Sequence, residues 1–133
     1  MKPKVITGRT LPWARTILGS PQSKANSRRA ILQGGKPRFI KSEAALSYSD
    51  DFLRQCPWLD PLFECDVVLE ANIYYSSRRP DLDESLIMDL LQGRVYANDR
   101  QVRQKIITGF VDKENPRVDI RIYPYSTGTE TQL

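Results

Sequence analysis

The sequence contains no histidine. Catalysis by a Ser-His-Asp or Cys-His arrangement is therefore excluded, together with the usual zinc sites, and any metal would have to be held by oxygen donors. Cysteine is nearly as scarce. Cys56 and Cys65 show no CxxC spacing and are too few for a disulfide framework, which fits a reducing cytoplasm. No apolar run approaches the roughly 18 to 20 residues of a membrane span, and the start "MKPKVITGRT" lacks the apolar core of a secretory signal. A soluble, cytoplasmic protein is expected. One further absence is local: residues 1–42 hold no aspartate or glutamate at all.

That absence makes the charge two-sided. Residues 1–42 carry ten Lys or Arg, whereas the remaining 91 residues carry ten basic and sixteen acidic side chains, so a +10 segment is set against −6 in a chain of net charge +4. A basic third invites a polyanion, because each Lys or Arg placed near a phosphate releases condensed counterions; a solvated basic surface is the alternative. A length of 133 residues, with 40% hydrophobic and 27% charged content, suits one domain that buries a core without disulfides. The expected organisation is a single domain over 1–133, with its basic third at 1–42 facing the polyanion and a frayed tail at 126–133.

Periodicity then gives the elements. "KVITGR" has the β-branched content of a strand, and "TLPWARTILGSPQSKANSRR", broken by Pro12, Gly19 and Pro21, reads as a surface loop. "RRAILQGGKPRFIK" reads as a hairpin turning at Gly34 and Gly35. Ser42 is an N-cap for a helix over "EAALSYSDDFLRQC", which Pro57 ends. "ECDVVLEANIYY" alternates as a strand, with Cys65, Val67, Leu69, Ala71 and Ile73 on one face. "DESLIMDLLQG" is a short helix with Leu86, Ile87, Leu90 and Leu91 on its apolar side and Gly93 beyond its end, and "QVRQKIITGFV" and "RVDIRIYPY" are two strands joined by "DKENP". The fold class expected is α/β: about four strands in a mixed sheet with two main helices packed on it.

The chemistry lies between Arg78 and Val102. Asp81 and Asp83 alternate in an extended segment after Pro80, so both carboxylates can project the same way from a strand end into a helix start. A carboxylate pair stays ionised if a cation compensates, and hard oxygen donors suit Mg²⁺ or Mn²⁺; helix capping is the plainer alternative. Asp99 stands at a turn into a strand, where Asp is ordinary turn chemistry. Arg78, Arg79 and Arg100 flank these acids, as befits a site that a phosphodiester must approach, although surface ion pairs would explain them too. Trp13, Trp58 and Tyr96 are candidates for stacking on opened bases, or else core and loop anchors.

"RRPDLDES", the helix ending "DLLQG", then "VYANDRQV" and the closing "RVDIRIYP" resemble, in that order, the RusA family of Holliday junction resolvases; "SKANSRR" and "RFIKSEAALSY" extend the resemblance over about residues 5 to 124. The resemblance implies an α/β fold, a homodimer, and Mg²⁺-dependent hydrolysis of four-way branched DNA in recombination and repair, in a bacterial cell or a phage-infected host. It implies metal ligation by Asp81, Asp83 and Asp99, and backbone contact by the basic region, here Ser23, Lys24, Asn26, Arg28, Arg29, Arg38 and Lys41 with Arg78, Arg79 and Arg100. Where the family has Asn after its second aspartate, this chain has Glu84, read here as an acid in a helix first turn. Its catalytic lysine falls on Ile87, and no Lys or Arg occurs from Glu84 to Gly93. Lys105, six residues after Asp99 in a strand-like segment, is the candidate replacement, since even spacing on a strand puts both on one face; an exposed strand lysine is the alternative. Asp89 is a candidate supporting residue behind the ligands. Two rival readings are a branched-DNA-binding protein without catalysis and a Mg²⁺-dependent nuclease for other branched DNA. An RNA or membrane-surface partner has no signature to support it.

Overall fold

Two glycines at Gly34 and Gly35 adopt φ of 61° and 76°, the left-handed pair that closes a tight hairpin. They join β2 (Arg28–Gln33) to β3 (Lys36–Lys41) in an antiparallel ribbon whose register sets Arg28 opposite Lys41 and Ile31 opposite Arg38. This computed structural model describes residues 8–22, 28–79 and 81–126. The expected strand at "KVITGR" lies almost wholly outside the described residues, as does all of the expected tail except Ser126.

The ribbon leads into α1 (Glu43–Gln55), where the Ser42 hydroxyl accepts from the Ala45 amide at 3.2 Å and so caps the helix as expected. The main sheet has four strands in the order β1-β6-β4-β5: β1 (Trp13–Leu18), β6 (Arg117–Pro124), β4 (Val67–Tyr75) and β5 (Val102–Val111). β4 pairs antiparallel with β6 and parallel with β5, which makes the sheet mixed. Parallel neighbours need a crossover, and the crossover here carries α2 (Ser85–Leu91).

The α/β expectation therefore holds, with one correction. "WARTIL" is not a surface loop but β1, paired along its whole length with β6 from Trp13↔Ile122 to Leu18↔Arg117. Pro12 and Gly19 bracket the strand instead of breaking it.

One face of the sheet is buried under both helices. Leu69, Ala71, Ile73 and Tyr75 of β4, Val118, Ile120 and Ile122 of β6, and Trp13 and Ile17 of β1 meet Tyr48 and Phe52 of α1 and Leu86, Ile87, Leu90 and Leu91 of α2 in a single cluster. A side chain of this kind contributes roughly 1.5–3 kcal/mol when fully buried, so the cluster dominates the stability. The opposite face is open. There the Glu70 carboxylate faces Arg121 at 3.5 Å, the Thr16 hydroxyl donates to Asp119 at 2.7 Å, and Tyr74 stacks on Phe110 with ring centroids 4.7 Å apart. Among the described residues no helix is long and apolar enough to cross a membrane.

Candidate active site

β4 ends at Tyr75, and the chain from Ser76 to Glu84 climbs from the sheet to the start of α2. Tyr75 is buried, with 5% of its surface exposed, and its hydroxyl accepts from the Asp83 amide at 3.3 Å. The core thus reaches up and fixes the backbone of the second aspartate. One carboxylate oxygen of Asp83 accepts from the Ser85 amide at 2.9 Å, a turn that satisfies one of the amide donors left over at the start of α2. Capping and site are not exclusive readings for this residue, because a carboxylate has further lone pairs to offer. Asp81 is exposed instead, and lines a cavity with Tyr75, Arg78, Arg79 and Leu82.

Glu84 occupies the N-cap position of α2 without capping it by its side chain. Its carboxylate turns to the neighbouring strand, where Lys105 Nζ donates to it at 2.9 Å. The reading of Glu84 as a mere first-turn acid is thereby corrected. Lys105 is the register partner of Leu69, on the helix-covered side of β5, which is how its ammonium comes beside the start of α2. Ile87, where the family carries its lysine, is 1% exposed among the core residues. A cation on that helix position would point into the hydrophobic interior, whereas Lys105 brings one to the start of α2 from β5.

At the other end of α2, "VYANDRQV" is held by its own polar side chains. Asn98 caps a single 3₁₀ turn, Asp99–Gln101, by accepting from the Arg100 amide, and Gln101 closes the reciprocal bond to the Asn98 amide. The Gln101 amide group also donates to the carbonyls of Phe63 and Cys65. The Asp99 amide donates to Gln92 Oε1 at 2.9 Å, just past the last residue of α2. Asp99 therefore lies in the 3₁₀ turn before β5 and not in the strand, so the even-spacing argument that put it on one strand face with Lys105 does not apply.

Tyr96 sits fully buried, donating to the Met88 carbonyl at 2.9 Å. Burial chiefly, and then the charges of Asp99 and Asp89, raise its phenol well above the usual tyrosine value. Asp89 thus shares the neighbourhood of Asp99 at the distal end of α2. Tyr96 and Trp13 are core residues, whereas Trp58 is 68% exposed with the Arg94 guanidinium 3.8 Å from its ring centroid. Stacking on bases is open to Trp58 alone of the three.

The three aspartates are consequently split, two before α2 and one after it, across a helix whose seven residues rise about 10 Å. Among the described residues no three of His, Cys, Asp and Glu come together to hold one ion. As a donor set, three carboxylates and no histidine match the oxygen preference of Mg²⁺ or Mn²⁺. Of the cationic residues expected to meet DNA, Arg78, Arg79 and Arg100 border these acids. Arg38 is exposed on β3 and donates to Gln33 Oε1 at 2.6 Å. Ser23, Lys24 and Asn26 lie outside the described residues, as do the side chains of Arg28, Arg29 and Lys41.

Sequence reasoning singled out Arg79 as a flanking charge and a DNA-backbone contact, without its packing on Tyr75. Its guanidinium lies 5.3 Å from the Tyr75 ring centroid, and its Nη2 is buried with no hydrogen-bond partner among the described residues.

Comparison with known proteins now gives the class: residues 19–123 match a family of enzymes that cut DNA internally. The family is described as Endodeoxyribonuclease RusA, and the chain belongs to it. The match begins just after β1, ends within β6 and includes every aspartate discussed above. None of the curated proteins matches the chain.

Proposed function

We propose that this endodeoxyribonuclease resolves Holliday junctions as a homodimer, hydrolysing one phosphodiester at each of two symmetric positions with Mg²⁺, or Mn²⁺ in its place. The observation that carries the reading is the family match over residues 19–123, which spans the carboxylate segment and the basic hairpin together. Asp81, Asp83 and Asp99 are the residues that would hold the ion, which supplies Lewis acidity at the scissile phosphate. The protein's own part is to bind, orient and neutralise. Lys105, steadied by Glu84, offers an ammonium to charge developing on phosphate or leaving oxygen. Arg78, Arg79 and Arg100 draw the strand to the carboxylates, which would otherwise repel it.

The basic segment supplies the wider grip. Arg28 and Lys41 at paired register positions, with Arg29 and Arg38 beside them, make the β2–β3 ribbon a backbone-contacting arm, and Ser23, Lys24 and Asn26 precede it in the sequence. Two-fold symmetry of a dimer matches that of a four-way junction and accounts for paired cuts. The site of action is the cytoplasm of the cell in which the DNA recombines.

A second reading, a protein that binds branched DNA without cutting it, draws on the core placement of Ile87. Incubating the chain with a synthetic four-way junction and a matched linear duplex, in Mg²⁺ and in chelator, decides between them. Paired nicks in the junction alone, abolished by chelator, are expected. Binding with no cleavage under any divalent ion would select the second reading, and equal cutting of the linear duplex would remove the junction as the substrate.

A further inference from the structure

Trp58 stands 68% exposed in the loop after α1, whereas Trp13, the other tryptophan, is closed into the core. The exposed ring is nonetheless held in place. The Arg94 guanidinium lies over it, 3.8 Å from its centroid, and is itself fixed, because Nη1 donates to the carbonyls of Leu53 and Cys56 at 3.0 and 2.8 Å. Those carbonyls belong to the end of α1, where acceptors are left over. One face of the indole is thus pinned to an anchored cation, and its exposure falls on the other face.

The loop that carries the ring is tied to one end of the carboxylate site. The Leu59 amide donates to the Arg94 carbonyl and the Phe63 amide to the Val95 carbonyl, both at 2.9 Å, while the Gln101 side chain closes on the carbonyls of Phe63 and Cys65. Trp58 is therefore laced to residues 94–101, the segment that includes Asp99. A tryptophan kept for packing gains by burial, and this one has little. A flat ring, immobilised from behind and open in front, offers instead what an unpaired nucleobase takes: a surface on which any base can stack.

We infer that Trp58 stacks on a base unstacked at the branch point, and that through this contact the chain prefers branched to linear DNA. This role rests on the endonuclease reading and deepens it. In an intact duplex both faces of each base are covered by its neighbours, so Trp58 finds nothing to stack on; where the strands cross, the stack is interrupted and a base leaves it at small cost. Contacts from arginines and lysines to the phosphate backbone are much the same on any DNA and do not supply that discrimination. The lacing of the Trp58 loop to the Asp99 segment then fixes where a strand so held lies relative to the third carboxylate.

The test uses the full chain in chelator, so that binding is read without cleavage. Tryptophan fluorescence titrated with a short oligothymidylate reports Trp58, since Trp13 is closed in the core; saturable quenching is expected, and none with heparin, a polyanion without bases. A synthetic four-way junction with 2-aminopurine at its branch point should lose fluorescence on binding wild type and Trp58→Phe, which keeps a ring over Arg94, but not on binding Trp58→Leu. Junction affinity should fall about tenfold in Trp58→Leu and stay within about threefold of wild type in Trp58→Phe, with affinity for a matched linear duplex unchanged in both. Absence of quenching by the oligothymidylate, equal quenching by heparin, or equal loss of affinity for junction and duplex in Trp58→Leu overturns the stack. A chain that stacks the branch-point base but never cuts a junction keeps the stack and overturns the endonuclease reading instead.

Discussion

Lys105 Nζ donates to Glu84 Oε1 at 2.9 Å, joining the fourth residue of β5 to the N-cap of α2 across 21 positions of sequence. Ion pairs this exposed contribute little to stability; Lys105 keeps 46% of its side chain in solvent. Its consequence is positional, since it fixes an ammonium beside the residue that follows Asp83. Lys105→Ala is expected to slow junction cleavage about 100-fold while changing the unfolding midpoint little, and Lys105→Arg to recover most of the rate. Single-turnover cleavage with the junction in excess of its dissociation constant measures this. An unchanged rate in Lys105→Ala would remove the residue from the chemistry.

Asp83 separates its two duties by substitution. Asn retains an oxygen for the Ser85 amide, so Asp83→Asn should leave stability within about 0.5 kcal/mol of wild type, whereas Asp83→Ala loses that acceptor at a cost of about 1 kcal/mol. Both should lose cleavage by about 1000-fold or more if the carboxylate charge is what the reaction needs. Denaturant melts paired with cleavage assays make the comparison. An Asp83→Asn chain that cuts normally would reduce Asp83 to its capping role.

How much of this was legible in the chain depends on range. The Gly34–Gly35 turn, the Ser42 cap and the apolar sides of β4 and α2 follow from neighbours a few residues apart, and those elements stand where periodicity puts them. β1 was lost because alternation fails inside it. Arg15 takes a position on the helix-facing side, and its Nε donates to the Gln55 carbonyl at 2.8 Å, an anchor in α1 that the local sequence does not announce. The site follows the same rule. Asp81, Asp83 and Asp99 announce themselves by motif, but the Glu84–Lys105 pair exists only once β5 lies parallel to β4, and the unpaired Arg79 Nη2 only once Tyr75 is buried beneath it.

Alkaline titration should divide the six tyrosines. Burial raises the phenols of Tyr48 and Tyr96 well above their ordinary value, with Tyr75 adding to the shift of Tyr48 and Asp99 and Asp89 to that of Tyr96. A folded pKa above the unfolded one means that the stability these groups contribute is whole below pH about 10 and is lost as pH rises beyond it. Tyrosinate absorbance from Tyr48 and Tyr96 should therefore appear only together with loss of the near-ultraviolet circular dichroism signal. A single smooth rise with the fold intact would mean that both phenols ionise in place.

Ile87 decides whether the missing lysine can be put back. Its side chain is 1% exposed between α2 and the sheet, so Ile87→Lys places an ammonium in the hydrophobic core, at an expected cost of about 3 kcal/mol or more. Ile87→Met, which keeps volume and apolarity, should cost less than about 1.5 kcal/mol. The same geometry predicts that adding Ile87→Lys to Lys105→Ala fails to restore cleavage, because the new cation does not reach the side of α2 on which Glu84 meets β5. Chemical melts give the first two values, and a junction assay at a temperature where the double variant is still folded gives the third. Restored cleavage in the double variant would show that α2 turns its lysine position toward the carboxylates when DNA is bound. In that case the role of Lys105 would shrink to the ion pair it makes with Glu84.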